Sequence, residues 1–155
     1  MKKIGEYTVR GSIYNAGADL SDGEEETITL FDGRFDTGYR VTGFWIWAGD
    51  VDDPDCSGRL CTEPGLAYSA NEFWNAGENR QIAWAMGQGS VDTPINDLNS
   101  IIDPDHMIVE DLYVTFRFPA SDTKRANYMV TLDKYEFNDW NGALAMVRNR
   151  GQGSP

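Results

Sequence analysis

One histidine and two cysteines are all that this chain of 155 residues holds for imidazole or thiol chemistry: His106, Cys56 and Cys61. A structural zinc site wants four ligands, so zinc would require acidic ligands or a second subunit. The C-x-x-x-x-C spacing of Cys56 and Cys61 is not the C-x-x-C of thiol redox proteins. His106, in IIDPDHMIV, precedes an apolar run and reads as a loop residue. No glycine-rich phosphate loop is present. The 25 acidic residues make carboxylate pairs unavoidable, yet none sits in a motif distinctive of glycoside hydrolysis. No catalytic residue and no cofactor are therefore assigned, and an enzyme is not expected.

Basic residues are also scarce. Thirteen Lys and Arg against 25 Asp and Glu give a formal net charge of −12. Phosphate contacts need a basic surface, so nucleic acid is not expected as the dominant partner. No stretch approaches the roughly 18 apolar residues of a membrane helix, so no membrane role is expected. The first residues, MKKIGEYTVRGS, lack the apolar run of a secretory signal peptide.

Aromatic residues, by contrast, are plentiful: five Trp, seven Tyr and seven Phe. They fall in runs with a period of two, separated by Gly, Asp, Asn and Pro clusters, which is the pattern of an all-β antiparallel sandwich. Strands are expected at 5–14, 26–31, 39–47, 59–62, 81–86, 107–118 (with a break near Glu110 and Asp111) and 127–137. Tyr7, Val9 and Ile13 share one face of the first. Ile82, Trp84 and Met86 share a face of the fifth. Leu112, Val114 and Phe116 should meet Ile28, Leu30, Ile82 and Trp84 in the core. Only NDWNGALAMVRNRG reads as a short C-terminal helix, with Asn138 or Asp139 as N-cap, Gly151 as the stop and Trp140, Leu144 and Val147 on one face. The length suits a single domain, 1–155, with mobile tails at 1–4 and 151–155.

The stretch GDVDDPDCSGRLC concentrates aspartates. Asp50 and Asp52 begin like a calcium-binding EF-hand loop. Pro54 and Asp55 then stand where that loop needs an oxygen ligand and a glycine, and Cys61 replaces the closing glutamate. Asp50, Asp52, Asp53 and Asp55 thus make a weak calcium candidate, and a solvated turn with no obligatory metal is the expectation. A disulfide between Cys56 and Cys61 is open on loop length, with reduced thiols expected where no secretory signal is seen.

In FWIW, Phe44 and Ile46 face one side of a strand and Trp45 and Trp47 the other. A sandwich strand buries only one face against the core. The second needs a cover: the C-terminal helix, the segment around Phe73 and Trp74, another subunit or a sugar ring. Arg and Trp dominate interface hot spots, which makes Arg34, Arg40, Trp74 and Arg80 the interface candidates.

Several phrases in order, DGRFDTGYRVTGFWI, RLCTEPG, WNAGENRQIAWA, IIDPDHMIVEDLYV and NYMVTLDKYEFNDWNGALAMVRNR, resemble small virion structural proteins of marine bacterial viruses over about residues 30–150. The resemblance implies a β-sandwich or jelly-roll-like coat component located in the virion, without activity or cofactor. Its partners would be copies of itself or other virion proteins. The alternative is a secreted carbohydrate-binding module, with Trp45, Trp47 or Trp74 stacking on sugars and the Asp50–Asp55 loop holding calcium.

Overall fold

The computed structural model describes residues 2–14, 24–49, 56–66, 73–87, 100–117 and 125–137. Eight strands run in order: β1 (Lys2–Tyr14), β2 (Glu24–Ile28), β3 (Thr37–Ala48), β4 (Cys56–Cys61), β5 (Gln81–Gly87), β6 (Ser100–Ile102), β7 (Leu112–Arg117) and β8 (Arg125–Glu136). They form two antiparallel sheets packed as a sandwich. The small sheet has the order β1-β8-β3 and the large one β2-β7-β4-β5-β6. No helix occurs among the described residues, and the expected helix at 138–150 lies outside them.

The alternation read from sequence sets which face is buried. On β8, Ala126, Tyr128, Val130 and Leu132 point inward, and they register with Ala48, Ile46, Phe44 and Val41 of β3. From the large sheet, Ile28, Leu60, Leu112, Val114 and Phe116 meet them, each nearly or wholly buried. Leu30 packs against the rim of this core.

Four expectations need correction. Lys2–Ile4 do not form a tail; Lys2 and Lys3 are paired with Glu136 and Tyr135 in the β1–β8 ladder. The stretch between the strands expected at 81–86 and 107–118 holds a further strand, β6, which pairs with β5 through Ile102, Ile101 and Ser100. The strand expected from residue 107 starts at Leu112. Before it, Ile108 exchanges two backbone bonds of 2.7 Å with Tyr39 of β3.

Trp84, finally, is not in the core. Leu60 registers with Ala83, and Cys61 with Gln81, so Ile82 is the extra residue of a bulge. A bulge breaks the period of two. Ile82 thereby joins the inward face beside Ala83 and Ala85, while Trp84 turns outward and its indole N–H donates to Gln81 Oε1 at 2.9 Å.

Candidate functional site

The outer face of the small sheet carries a mixed set of aromatic and polar side chains. The registers fix its rows. Trp47, Asn127 and Ser12 stand side by side; next come Trp45, Met129 and Arg10; then Gly43, Thr131 and Thr8; then Arg40, Asp133 and Glu6. A bulge between Val41 and Gly43 keeps Phe44 and Ile46 inward and Trp45 and Trp47 outward.

Trp45 folds back across the sheet. A Cβ added at Gly43 would lie 2.2 Å from Trp45 Cη2 and 2.5 Å from Thr131 Oγ1. The absent side chain at 43 is therefore the space that the indole fills, and the ring lies half-buried over the strand. Two shallow depressions flank this ridge. One is lined by Lys3, Glu6, Thr8, Thr42, Thr131 and Asp133. The other is lined by Arg10, Ser12, Trp47, Asn127 and Met129, among others.

Cations sit over rings along the same face. The Arg40 guanidinium lies 5.2 Å from the centre of Tyr135, and that of Arg125 lies 4.7 Å from Tyr14 while donating to Ser12 Oγ at 2.8 Å. Lys3 bridges Glu6 at 2.6 Å and Asp133 at 3.2 Å, and hydrogen bonds to those carboxylates raise its pKa. Such a surface offers stacking, hydroxyl contacts and charge.

The four interface candidates do not form one patch. Arg34 is clamped by Asp36 in a forked pair of 2.8 and 2.6 Å beside the end of the small sheet, and Arg40 stands on that sheet's outer face. Trp74 and Arg80 belong to the other layer. The Trp74 indole donates to the Gly58 carbonyl of β4 at 3.0 Å, and the residue is 42% exposed. Arg80 is held by Glu78 at 2.7 Å and Glu63 at 3.4 Å, and hydrogen bonding to Glu78 raises its pKa. The Phe73–Trp74 segment covers the large sheet, over Arg59, so it does not cover Trp45 and Trp47.

Cys56 and Cys61 are not joined in a disulfide, and both are fully buried. The disulfide candidate is thus corrected, and its physical reason is the strand between them. Five steps of about 3.3 Å separate their Cα atoms by roughly 16 Å, whereas a disulfide needs about 7 Å or less. Burial pushes the Cys61 thiol up to about 12. Neither thiol is expected to react quickly with Ellman's reagent in the native protein, and two should titrate after unfolding. Fast release of even one equivalent from folded protein would contradict the buried placement.

Asp50, Asp52, Asp53 and Asp55 lie outside the described residues. Among the described residues, no three His, Cys, Asp or Glu side chains cluster as a metal would need. His106 is buried in the turn after β6, with Nδ1 3.5 Å from Asp103 Oδ2.

Sequence reasoning missed one feature of interest. Glu26, on the short edge strand β2, registers with Val114 and so faces between the sheets. There the Tyr128 hydroxyl donates to its carboxylate. The Tyr128 side chain reaches it by passing Gly11, where an added Cβ would stand 2.6 Å from the hydroxyl oxygen. The signal was present: Glu26 and Ile28 share parity, and Ile28 is core.

Desolvation raises the pKa of Glu26 against the opposing bond from Tyr128, and burial first, then the Glu26 charge, pushes Tyr128 up to about 12. A carboxyl with a raised folded-state pKa favours folding below its unfolded pKa and loses that contribution as pH rises through the folded value. Glu26→Gln is therefore expected to be more stable than the parent at pH 7, with the difference vanishing below about pH 4. Equal urea midpoints at neutral pH would show that the carboxylate is well solvated.

No protein-family model, curated protein or solved structure matches this chain. Within the described residues no helix is long and apolar enough to cross a membrane.

Proposed function

We propose that this protein is a non-enzymatic structural component of a virus particle, a jelly roll that acts by self-assembly. The observation that carries the reading is the strand order. The sequence-distant pairs β1·β8 and β2·β7 and the hairpin β4·β5 are the partners produced when one long antiparallel ribbon is wrapped into two facing sheets. In the full wrap β3 would take β6. Here β6 leans on β5, yet Ser100 Oγ still donates to the Phe44 carbonyl of β3 at 2.5 Å. Jelly rolls recur in viral shells and in lectins. The outer face of Trp45, Trp47, Arg10 and Arg40 adds the aromatic and arginine content that subunit contacts favour. Partners are copies of this chain or other virion proteins.

The purified chain is expected to form rings, shells or filaments by light scattering and electron microscopy. A protein that stays monomeric and assembles with no virion component would overturn the reading.

Trp45, lying flat over Gly43 beside Trp47, favours a second reading, a carbohydrate-binding module. Aromatic faces bordered by hydroxyls and amides suit sugar rings. A monomer whose tryptophan fluorescence responds to glycans, with the response lost in Trp45→Ala, would select it.

A further inference from the structure

Four strands stand at sheet edges, β1 and β3 on the small sheet and β2 and β6 on the large one; β3 and β6 meet through the Ser100–Phe44 hydrogen bond, and the other two edges differ. On the large sheet, β2 is five residues long and turns Glu26 inward, the features by which proteins discourage edge pairing. On the small sheet, β1 has neither defence. It is 13 residues long, holds no proline, and is bulged only at its start, between Lys3 and Gly5. One side pairs with β8, while the other has no strand partner among the described residues. Three large apolar side chains on β1 are exposed: Ile4 (45%), Tyr7 (50%) and Tyr14 (56%).

We propose that two copies of this chain dimerise by antiparallel pairing of their β1 strands about a two-fold axis at Thr8. The two three-stranded sheets would join into one of six strands. The register follows from charge. With Thr8 opposite Thr8, the strands overlap along their whole length. Glu6 of each copy then faces Arg10 of the other, on the same outer face, so the dyad makes this pair twice. Lys2 faces Tyr14, Ile4 faces Ser12, and Tyr7 faces Val9. No like charges oppose. Slipping the register by two residues sets Glu6 against Thr8 or Ser12 and loses both ion pairs. Slipping it by three in one direction opposes Lys3 and Arg10. A two-fold contact of this kind is self-complementary and closed. It rests on β1 alone and stands whether or not the chain builds a larger particle.

Glu6 and Arg10 are both exposed, so their substitution leaves the core untouched. The test is the solution mass by sedimentation and light scattering, with folding checked by circular dichroism. The parent is expected at twice its 17.3 kDa chain mass, or in larger assemblies built from that dimer. Glu6→Arg turns two attractive pairs repulsive and should weaken the dimer roughly tenfold or more. Arg10→Glu should do the same. Combining Glu6→Arg with Arg10→Glu restores opposite charges and should restore the dimer. A monomeric parent overturns the proposal, as does a dimer indifferent to the single changes or not recovered in the double swap. If the parent forms larger assemblies, the proposal survives only where Glu6→Arg breaks the β1 contact and the swap restores it; assemblies indifferent to both changes support the particle reading and sink this one.

Discussion

Replacing Phe116 by alanine is expected to destabilise the protein by about 3–5 kcal/mol, the range for truncating a buried aromatic. Phe116 sits on the inner face of the large sheet, on β7 between β2 and β4, opposite Glu24 on one side and Gly58 on the other. It is fully buried. Its ring lies 5.8 Å from that of Tyr128 across the sandwich, inclined by 44°. Removing the ring deletes contacts from both layers and leaves a hole that two hydrogen-bonded sheets cannot easily collapse to fill. The Tyr128 ring would also lose the neighbour that helps aim its hydroxyl at Glu26. Urea unfolding at pH 7 measures the effect, and a loss below about 1 kcal/mol would mean that this face is not the true interior.

Arg59→Leu is expected to cost about 3 kcal/mol or more, although leucine fills much of the same space. Arg59 is 1% exposed, on the outward side of β4. Its guanidinium donates to the carbonyl of Leu66 at 2.6 Å and to that of Phe73 at 3.1 Å, and lies 5.0 Å from the Phe73 ring centre. One side chain thereby ties both Leu66 and Phe73 to the sheet beneath them. Hydrogen bonds from a charged donor contribute about 1.5–3 kcal/mol each, and the cation over the ring adds about 0.5–2. Leucine supplies none of these and leaves two carbonyls short of a partner. Arg59→Lys keeps the charge but loses the planar fork, so it should recover only part of the loss. Full recovery by lysine would show that charge alone holds the segment.

Much of this architecture was legible in the period of the apolar residues. Val9 and Ile13, Phe44 and Ile46, and Leu112, Val114 and Phe116 lie inward as alternation requires. Three kinds of feature escaped it. A bulge has no residue signature of its own, so Ile82 and Trp84 were placed on one face when the extra residue separates them. A strand of three residues, Ser100–Ile102, is too short to show a period, and its Ile101 is 67% exposed. A buried charge contradicts the composition rule that would find it: Arg59 looks like a surface residue until the Phe73 segment is laid over it. The outer face of the small sheet was half legible. FWIW announced two apolar faces, but only the register brings Arg10, Met129 and Thr131 beside the tryptophans.

The ladder between the first and last strands also sets a timetable. Lys2 pairs with Glu136 and Tyr14 with Arg125, so β1 has no strand partner in the small sheet until β8 has been made. At about 5–20 residues per second, synthesis of the intervening chain takes roughly 6–22 s. Throughout that time a long edge bearing Ile4, Tyr7 and Val9 waits with both sides unpaired. Folding is thus governed by the closure of one very long loop, which slows it and widens the interval in which nascent chains can meet. The strand that completes the sandwich is the one most exposed to another chain before the sandwich exists, and expression at lower temperature or with a holdase chaperone should raise the soluble yield.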